Sequence, residues 1–160
     1  MVREKFEIPV WGTVLFLDVS SKRIDKEAIS LAVDSVKGFV NQVDLDFSTY
    51  KDGSYISRLR RNEIAIADCP EMVREIWGLC AIARDLTEGA FDPWAVAGGF
   101  DPSGYVKGWA GDKCALILEA AGCEQIQVNA AGDLTLRGGV GEGGEVKPWA
   151  IGVINPDNRQ

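Results

Sequence analysis

The chain has 160 residues, 46% hydrophobic and 26% charged, which is enough apolar content for one domain, residues 1–160, with a buried core. Acidic residues outnumber basic ones 24 to 17, a net charge of −7 without any Lys/Arg run, so nucleic acid is excluded as a general partner. Histidine is absent, which removes Ser-His-Asp and Cys-His nucleophile pairs, His-ligated zinc and imidazole bases.

The N-terminal Met-Val-Arg-Glu-Lys leads into no apolar signal region, and no apolar run is long enough to span a membrane. The expected location is the cytoplasm as written, or periplasmic or membrane-anchored where an export signal has been removed. Residues 10–19 are rich in Val, Trp, Thr, Leu and Phe and read as one strand, stopping at Ser20-Ser21. Asp25 then reads as a helix N-cap. After it, Ile29, Ala32, Val33, Val36, Phe39, Val40 and Val43 fall at helical spacing, opposite Lys26, Glu27, Asp34 and Lys37.

Residues 44–61 break that period and read as an irregular loop, of a length often functional. Asp68, Cys69 and Pro70 open a second helix with Val73, Ile76, Trp77, Cys80 and Ala83 on its buried stripe, ending at Gly89. A third helix starts among Gly98, Gly99, Gly104 and Gly108 and runs through Trp109, Cys114, Leu116 and Leu118 to Gly122. Residues 125–128 and 134–136 alternate about a turn at 130–133, a hairpin that Asn129 and Asp133 help to build. After a Gly-rich link at 138–144, Trp149, Ile151 and Val153 give a last strand ending at Asn155-Pro156. The 18 glycines are expected in loops rather than helices. The fold class is α+β: an antiparallel sheet with about three helices packed on it.

Cys69, Cys80, Cys114 and Cys123 form no C-x-x-C pair and sit in apolar or helical contexts, so free buried thiols are expected. Trp77, Trp109 and Trp149 read as core aromatics. Chemistry is left to the loops that combine glycine with carboxylates and aromatics: 48–57, 87–92, 101–112 and 129–133. Lys107, beside a helix start where the dipole disfavours a cation, suits a pyrophosphate, although the pattern is neither Walker A nor G-x-G-x-x-G and a plain Gly-rich turn serves as well. Asp92 and Asp101 each precede a proline and suit turns, with ligand contact favoured more for Asp101. Asp112 reads as a cap or a salt bridge within its helix.

These residues resemble the ApbE-like FAD:protein FMN transferases in six blocks that occur in the family's order. Trp11-Gly12-Thr13 is similar to the M-G-T strand, with Trp in place of Met. Phe47-Ser-Thr-Tyr-Lys51, Ser54 and Ser57-Arg58-Leu59 resemble F-S-T-Y-K…S-x-L-S-x-L, with Arg60-Arg61 where Asn often follows. Thr87-Glu-Gly-Ala-Phe-Asp-Pro93 resembles T-x-G-A-F-D-P, and residues 101–112 resemble D-x-G-x-x-K-G-x-x-x-D. Residues 129–133 resemble N-x-G-G-D with Ala131 for a glycine, and residues 149–156 resemble W-x-V-G-I-x-x-P.

The resemblance implies an ApbE-like fold and an enzyme that takes FAD and, with Mg²⁺, moves its FMN half onto a Thr or Ser hydroxyl of an acceptor flavoprotein, releasing AMP. It places Trp11 and Tyr50 at the flavin or adenine, and Ala90, Phe91, Asp92, Asp101 and Lys107 in contact with the cofactor. A backbone carbonyl near Gly104 stands where the family offers one metal ligand. Family members continue with a segment whose Asp and Thr side chains hold Mg²⁺, so the fold is expected to be incomplete at its C-terminus, the rest coming from a missing segment or a second chain. The alternatives are an FAD-binding or assembly module without turnover, and an FAD pyrophosphatase giving FMN and AMP.

Overall fold

A computed structural model of the chain describes residues 1–141 and 146–153. Its first element is a hairpin where the residue pattern suggested a single strand at 10–19. Strands β1 (Val2–Val10) and β2 (Thr13–Ser21) run antiparallel, and the chain reverses at Trp11 and Gly12. Both have positive φ, 56° and 71°, the combination that matches a two-residue turn to the twist of its strands. A Trp-Gly pair is not the Asn-Gly that signals such a turn, which is why it went unread. In β1, Arg3, Lys5, Glu7 and Pro9 are exposed and alternate with the inward Phe6, Ile8 and Val10, as suits an edge strand. Pro9 sits opposite Val14, one step from the pair that closes the turn, so its missing N–H falls on the open side of the ladder.

Helix α1 (Lys26–Phe47) forms as its periodicity predicts. Asp25 caps it by accepting the Ala28 N–H at 2.9 Å, and Ile29, Ala32, Val33, Val36, Val40 and Val43 are buried. The irregular loop expected at 44–61 is shorter than the composition suggested. Helix α1 runs on to Phe47, and α2 (Tyr55–Arg60) fills the later part, leaving 48–54 irregular. Six residues are too few to display a period, so α2 is marked only by its Ser54 cap. A single 3-10 turn (Ile66–Asp68) leads to α3 (Glu71–Leu86), which Pro70 immediately precedes.

Helix α4 (Ser103–Ala120) follows, then β3 (Gln125–Ala130) and β4 (Asp133–Arg137), joined by a second two-residue turn at Ala131 and Gly132. The sheet order is β1-β2-β3-β4, antiparallel throughout. Glycines are not confined to loops: Gly38, Gly78, Gly104, Gly108 and Gly111 are helical. Gly111 has a packing reason, since a Cβ there would lie 3.1 Å from Thr135 Oγ1 of β4; its absence lets α4 approach the sheet.

Two helices, not three, cover the sheet. Leu15, Leu17, Val19, Ile126 and Val128 pack against Val33, Val36, Cys114 and Leu118 of α1 and α4 in one aliphatic core. Helix α3 instead belongs to a second cluster with Phe47, Ile56, Phe100 and Val106. Its stripe is met by aromatics from the loop that follows it: Trp77 lies 4.5 Å from Phe100 and 5.1 Å from Trp94, ring centre to ring centre.

Residues 148–153 keep a two-residue period yet join no strand, correcting the last strand expected there. Trp149 donates its indole N–H to the Arg137 carbonyl at 3.0 Å, and Val153 is 91% exposed, so alternation here is not backed by burial. Residues 142–145 of the Gly-rich link and the expected strand end at Asn155-Pro156 lie outside the described residues.

Candidate functional site

Strand register brings two of the motif blocks, 11–13 and 129–133, to one end of the sheet, while Trp149 of the last block contacts Arg137 at the other. Leu15 pairs with Ala130, so the Trp11-Gly12 and Ala131-Gly132 turns project from the same end. The Trp11 indole N–H donates to the Val40 carbonyl at 3.3 Å, tying the first turn to the later half of α1. Lys107, early in α4, forms a 3.3 Å ion pair with Asp133 beside the second turn. Asn129 accepts the Gly132 N–H at 2.9 Å and so builds that turn, as its position in the sequence suggested. Trp11, half-buried against both clusters, serves as an anchor between strand and helix.

The 87–101 segment is shaped by its own side chains. Thr87 Oγ1 donates to the Ala83 carbonyl at 2.9 Å and accepts the Phe91 N–H at 3.0 Å, folding the chain back over the end of α3. Asp92 accepts the Trp94 N–H at 2.9 Å, and Asp101 accepts both the Ser103 N–H at 3.0 Å and its hydroxyl at 2.5 Å. Both carboxylates thus make the turns that a residue before proline favours. Ala90 is exposed, while the Phe91 ring lies over Gly104, where a Cβ would be 3.2 Å from it, and 6.4 Å from the Tyr105 ring. Tyr50 is 97% exposed on the 48–54 loop, with its N–H donated to Ser48 Oγ at 3.3 Å.

Several residues of the 44–61 block have roles that their spacing does not announce. Arg60 donates to the carbonyls of Ala97 at 2.7 Å and Gly98 at 3.1 Å, joining α2 to the glycine turn before Asp101. Ser54 both caps α2 and donates to the Ser48 carbonyl at 2.6 Å; Lys51 pairs with Asp44 at 2.6 Å. The only signal for Arg60 was its departure from the family pattern. Asp112 does not act within its helix: it accepts from Thr135 Oγ1 at 3.2 Å and pairs with Arg137 at 3.3 Å, holding α4 to β4.

The chemistry on offer is anion binding and ring contact. Lys107, paired with Asp133, supplies a cation, and Phe91 and the exposed Tyr50 supply aromatic faces, while the first amides of α4 are taken, Ser103 N–H by Asp101 and the Tyr105 and Val106 N–H groups by the Pro102 carbonyl. The thiols supply no nucleophile, since burial pushes Cys80 up to about 11 and Cys114 up to about 12, and all four cysteines are free and buried. The described residues do not by themselves make a divalent-cation site. Among the described residues no group of three His, Cys, Asp or Glu side chains converges on one point. Gly104 lies in the first turn of α4. Among the described residues, no helix is long and apolar enough to cross a membrane.

Residues 95–160 match the model of the ApbE family. The fold is similar to solved structures of the flavin transferase ApbE from Vibrio cholerae (TM-score 0.77, 19% identity, 99% of this chain and 67% of that one) and the ApbE protein from Thermotoga maritima (0.79, 20%, 98% and 65%). The apo flavinyl transferase ApbE of Pseudomonas stutzeri is similar at a TM-score of 0.71 and 20% identity, over 86% of this chain. The chain spans 57% of that protein's length. No curated protein matches by sequence. The sequence match to the ApbE family is thus confined to residues 95–160, on a fold similar to that of the solved ApbE structures.

Proposed function

We propose that this chain binds FAD at the end of the sheet where the two hairpin turns and the early part of α4 meet, and serves the transfer of FMN from FAD to a Thr or Ser hydroxyl of an acceptor flavoprotein. The observation that carries the reading is the convergence of blocks distant in sequence: Lys107 reaches the Ala131-Gly132 turn through Asp133, and Phe91 lies on the first turn of α4. Lys107, exchanging Asp133 for the ligand, meets the pyrophosphate, while Phe91 and Tyr50 offer faces to the ring systems. In the transfer, the acceptor oxygen bonds to the FMN phosphorus. The bond to the AMP oxygen breaks and AMP leaves with both electrons. The acceptor proton is lost to solvent or to AMP. No step is assigned to Mg²⁺, because the described residues do not form a site for it.

A second reading is an FAD-binding module without turnover. Titration of FAD by flavin fluorescence, with chromatography for AMP and intact mass of a Thr-containing acceptor peptide, separates the two. Transfer requires AMP release and a peptide gain of one FMN; binding without AMP leaves the module. Lys107→Ala is expected to weaken FAD about tenfold through loss of a charge-assisted contact. Absence of FAD binding by the unmodified chain overturns both readings.

A further inference from the structure

We infer that Arg60 is a positioning residue, which sets the shape of the 95–101 segment and through it the flavin site; the second half of this inference rests on the proposed function. Arg60 ends α2, and its guanidinium donates to two consecutive carbonyls, Ala97 at 2.7 Å and Gly98 at 3.1 Å. A planar fork reading two adjacent carbonyls fixes direction as well as distance, which an ammonium does not. The segment is built to receive it. Gly98 has φ of 86°, which favours glycine, and a Cβ there would stand 2.7 Å from the Arg60 Nη2 and push the guanidinium from its present position.

What Arg60 holds is the stretch between two of the motif blocks. On one side Asp92 and Trp94 close a turn; on the other the Asp101 N–H donates to the Pro93 carbonyl at 2.8 Å, so 93–101 is a closed loop with its ends pinned. Within that loop the Gly99 N–H donates to the Val96 carbonyl at 3.1 Å. Among the described residues Arg60 hydrogen-bonds the tip from another element, and Asp101 and the start of α4 follow directly. Residues 95–99, apart from the half-buried Gly99, are exposed, so burial does not define the tip and the guanidinium does.

The test compares the unmodified chain with Arg60→Ala and Arg60→Lys in two measurements. The first is amide hydrogen exchange read by mass spectrometry on peptides covering 95–101 and, as control, on α1. The second is FAD affinity by fluorescence. Arg60→Ala is expected to speed exchange at 95–101 about tenfold or more, with α1 unchanged, and to weaken FAD about tenfold. Arg60→Lys is expected to fall between, and millimolar guanidinium is expected to restore both readouts in Arg60→Ala alone. Unchanged exchange at 95–101 overturns the inference, and so does faster exchange that extends equally to α1. Faster local exchange with unaltered FAD affinity overturns the link to the flavin site. A wild-type chain that binds no FAD, with exchange still accelerated locally, removes the flavin reading and leaves the clamp.

Discussion

The two hydrophobic clusters of this chain are held by different means. The sheet layer is aliphatic and regular: Leu15, Leu17, Val19, Ile126 and Val128 stand on laddered strands under α1 and α4. The second layer is aromatic and irregular: Trp77, Trp94 and Phe100 pack on one another, and its loops are set by Thr87, Arg60, Ser54 and Asp92 donating to or accepting from backbone groups. The difference teaches where ligand chemistry can be placed. Ladders use the backbone polar groups in pairing, whereas a loop held by side chains can be reshaped one clamp at a time.

The sharpest test of that contrast is a pair of cavities. Ile126→Ala in the sheet and Ile76→Ala in α3 each remove a fully buried side chain. The expected losses are about 4 kcal/mol for the first and about 2 kcal/mol for the second, because laddered strands collapse less readily around a void. Chemical denaturation measures both, and equal or reversed losses would break the comparison. Ser54→Ala asks whether the second layer depends on its clamps. It removes the α2 cap and a 2.6 Å bond to the Ser48 carbonyl from a buried site, for an expected loss of about 1.5 kcal/mol in the same assay.

A smaller effect tests the turn at the site end of the sheet. Ala131 has φ of 50°, a conformation that disfavours any residue with a Cβ. Ala131→Gly is expected to stabilise the fold by about 0.5 kcal/mol, the relief of strain exceeding the added freedom of the unfolded chain. A lower unfolding midpoint would show that the Cβ packs usefully.

The smallest effect lies on the edge of the sheet. Hydrogen bonds from Arg3 at 2.7 Å, aided by its charge and that of Lys5, hold the Asp18 carboxyl below its ordinary value of 3.8, against the opposing effect of burial. The folded value is the lower one, so this stabilisation is complete above the ordinary value and is lost as pH falls through the folded one. Asp18→Asn is expected to cost about 0.3 kcal/mol at neutral pH, since Arg3 is half exposed, and to flatten the acid side of the stability profile. An unchanged acid slope would assign that slope to other carboxylates.

Much of the fold was legible in the residues, for local reasons. Helix α1 announces itself through Asp25 and seven apolar positions, α3 through Pro70 and its stripe, and the second hairpin through alternation on either side of Gly132. What went unread was short or atypical: α2 has too few residues for a period, and the first hairpin turns on Trp-Gly. Of the site, the residue list came from the motifs, but the roles of its members did not. Lys107 meets Asp133, Trp11 meets Val40 and Arg60 meets Ala97, partners separated by 26, 29 and 37 positions.

By itself, then, the sequence determined the helices with caps and periods, the later hairpin, the thiol character of the cysteines and the loops in which any chemistry must lie. Those features depend on neighbours within a turn or a strand pair, so spacing alone encodes them. Only the tertiary structure decided that α3 leaves the sheet, that both hairpin turns share one end with the start of α4, and that Arg60 shapes the loop beside it. These depend on which distant side chain arrives at a given carbonyl or ring, and register and packing settle that, not spacing along the chain.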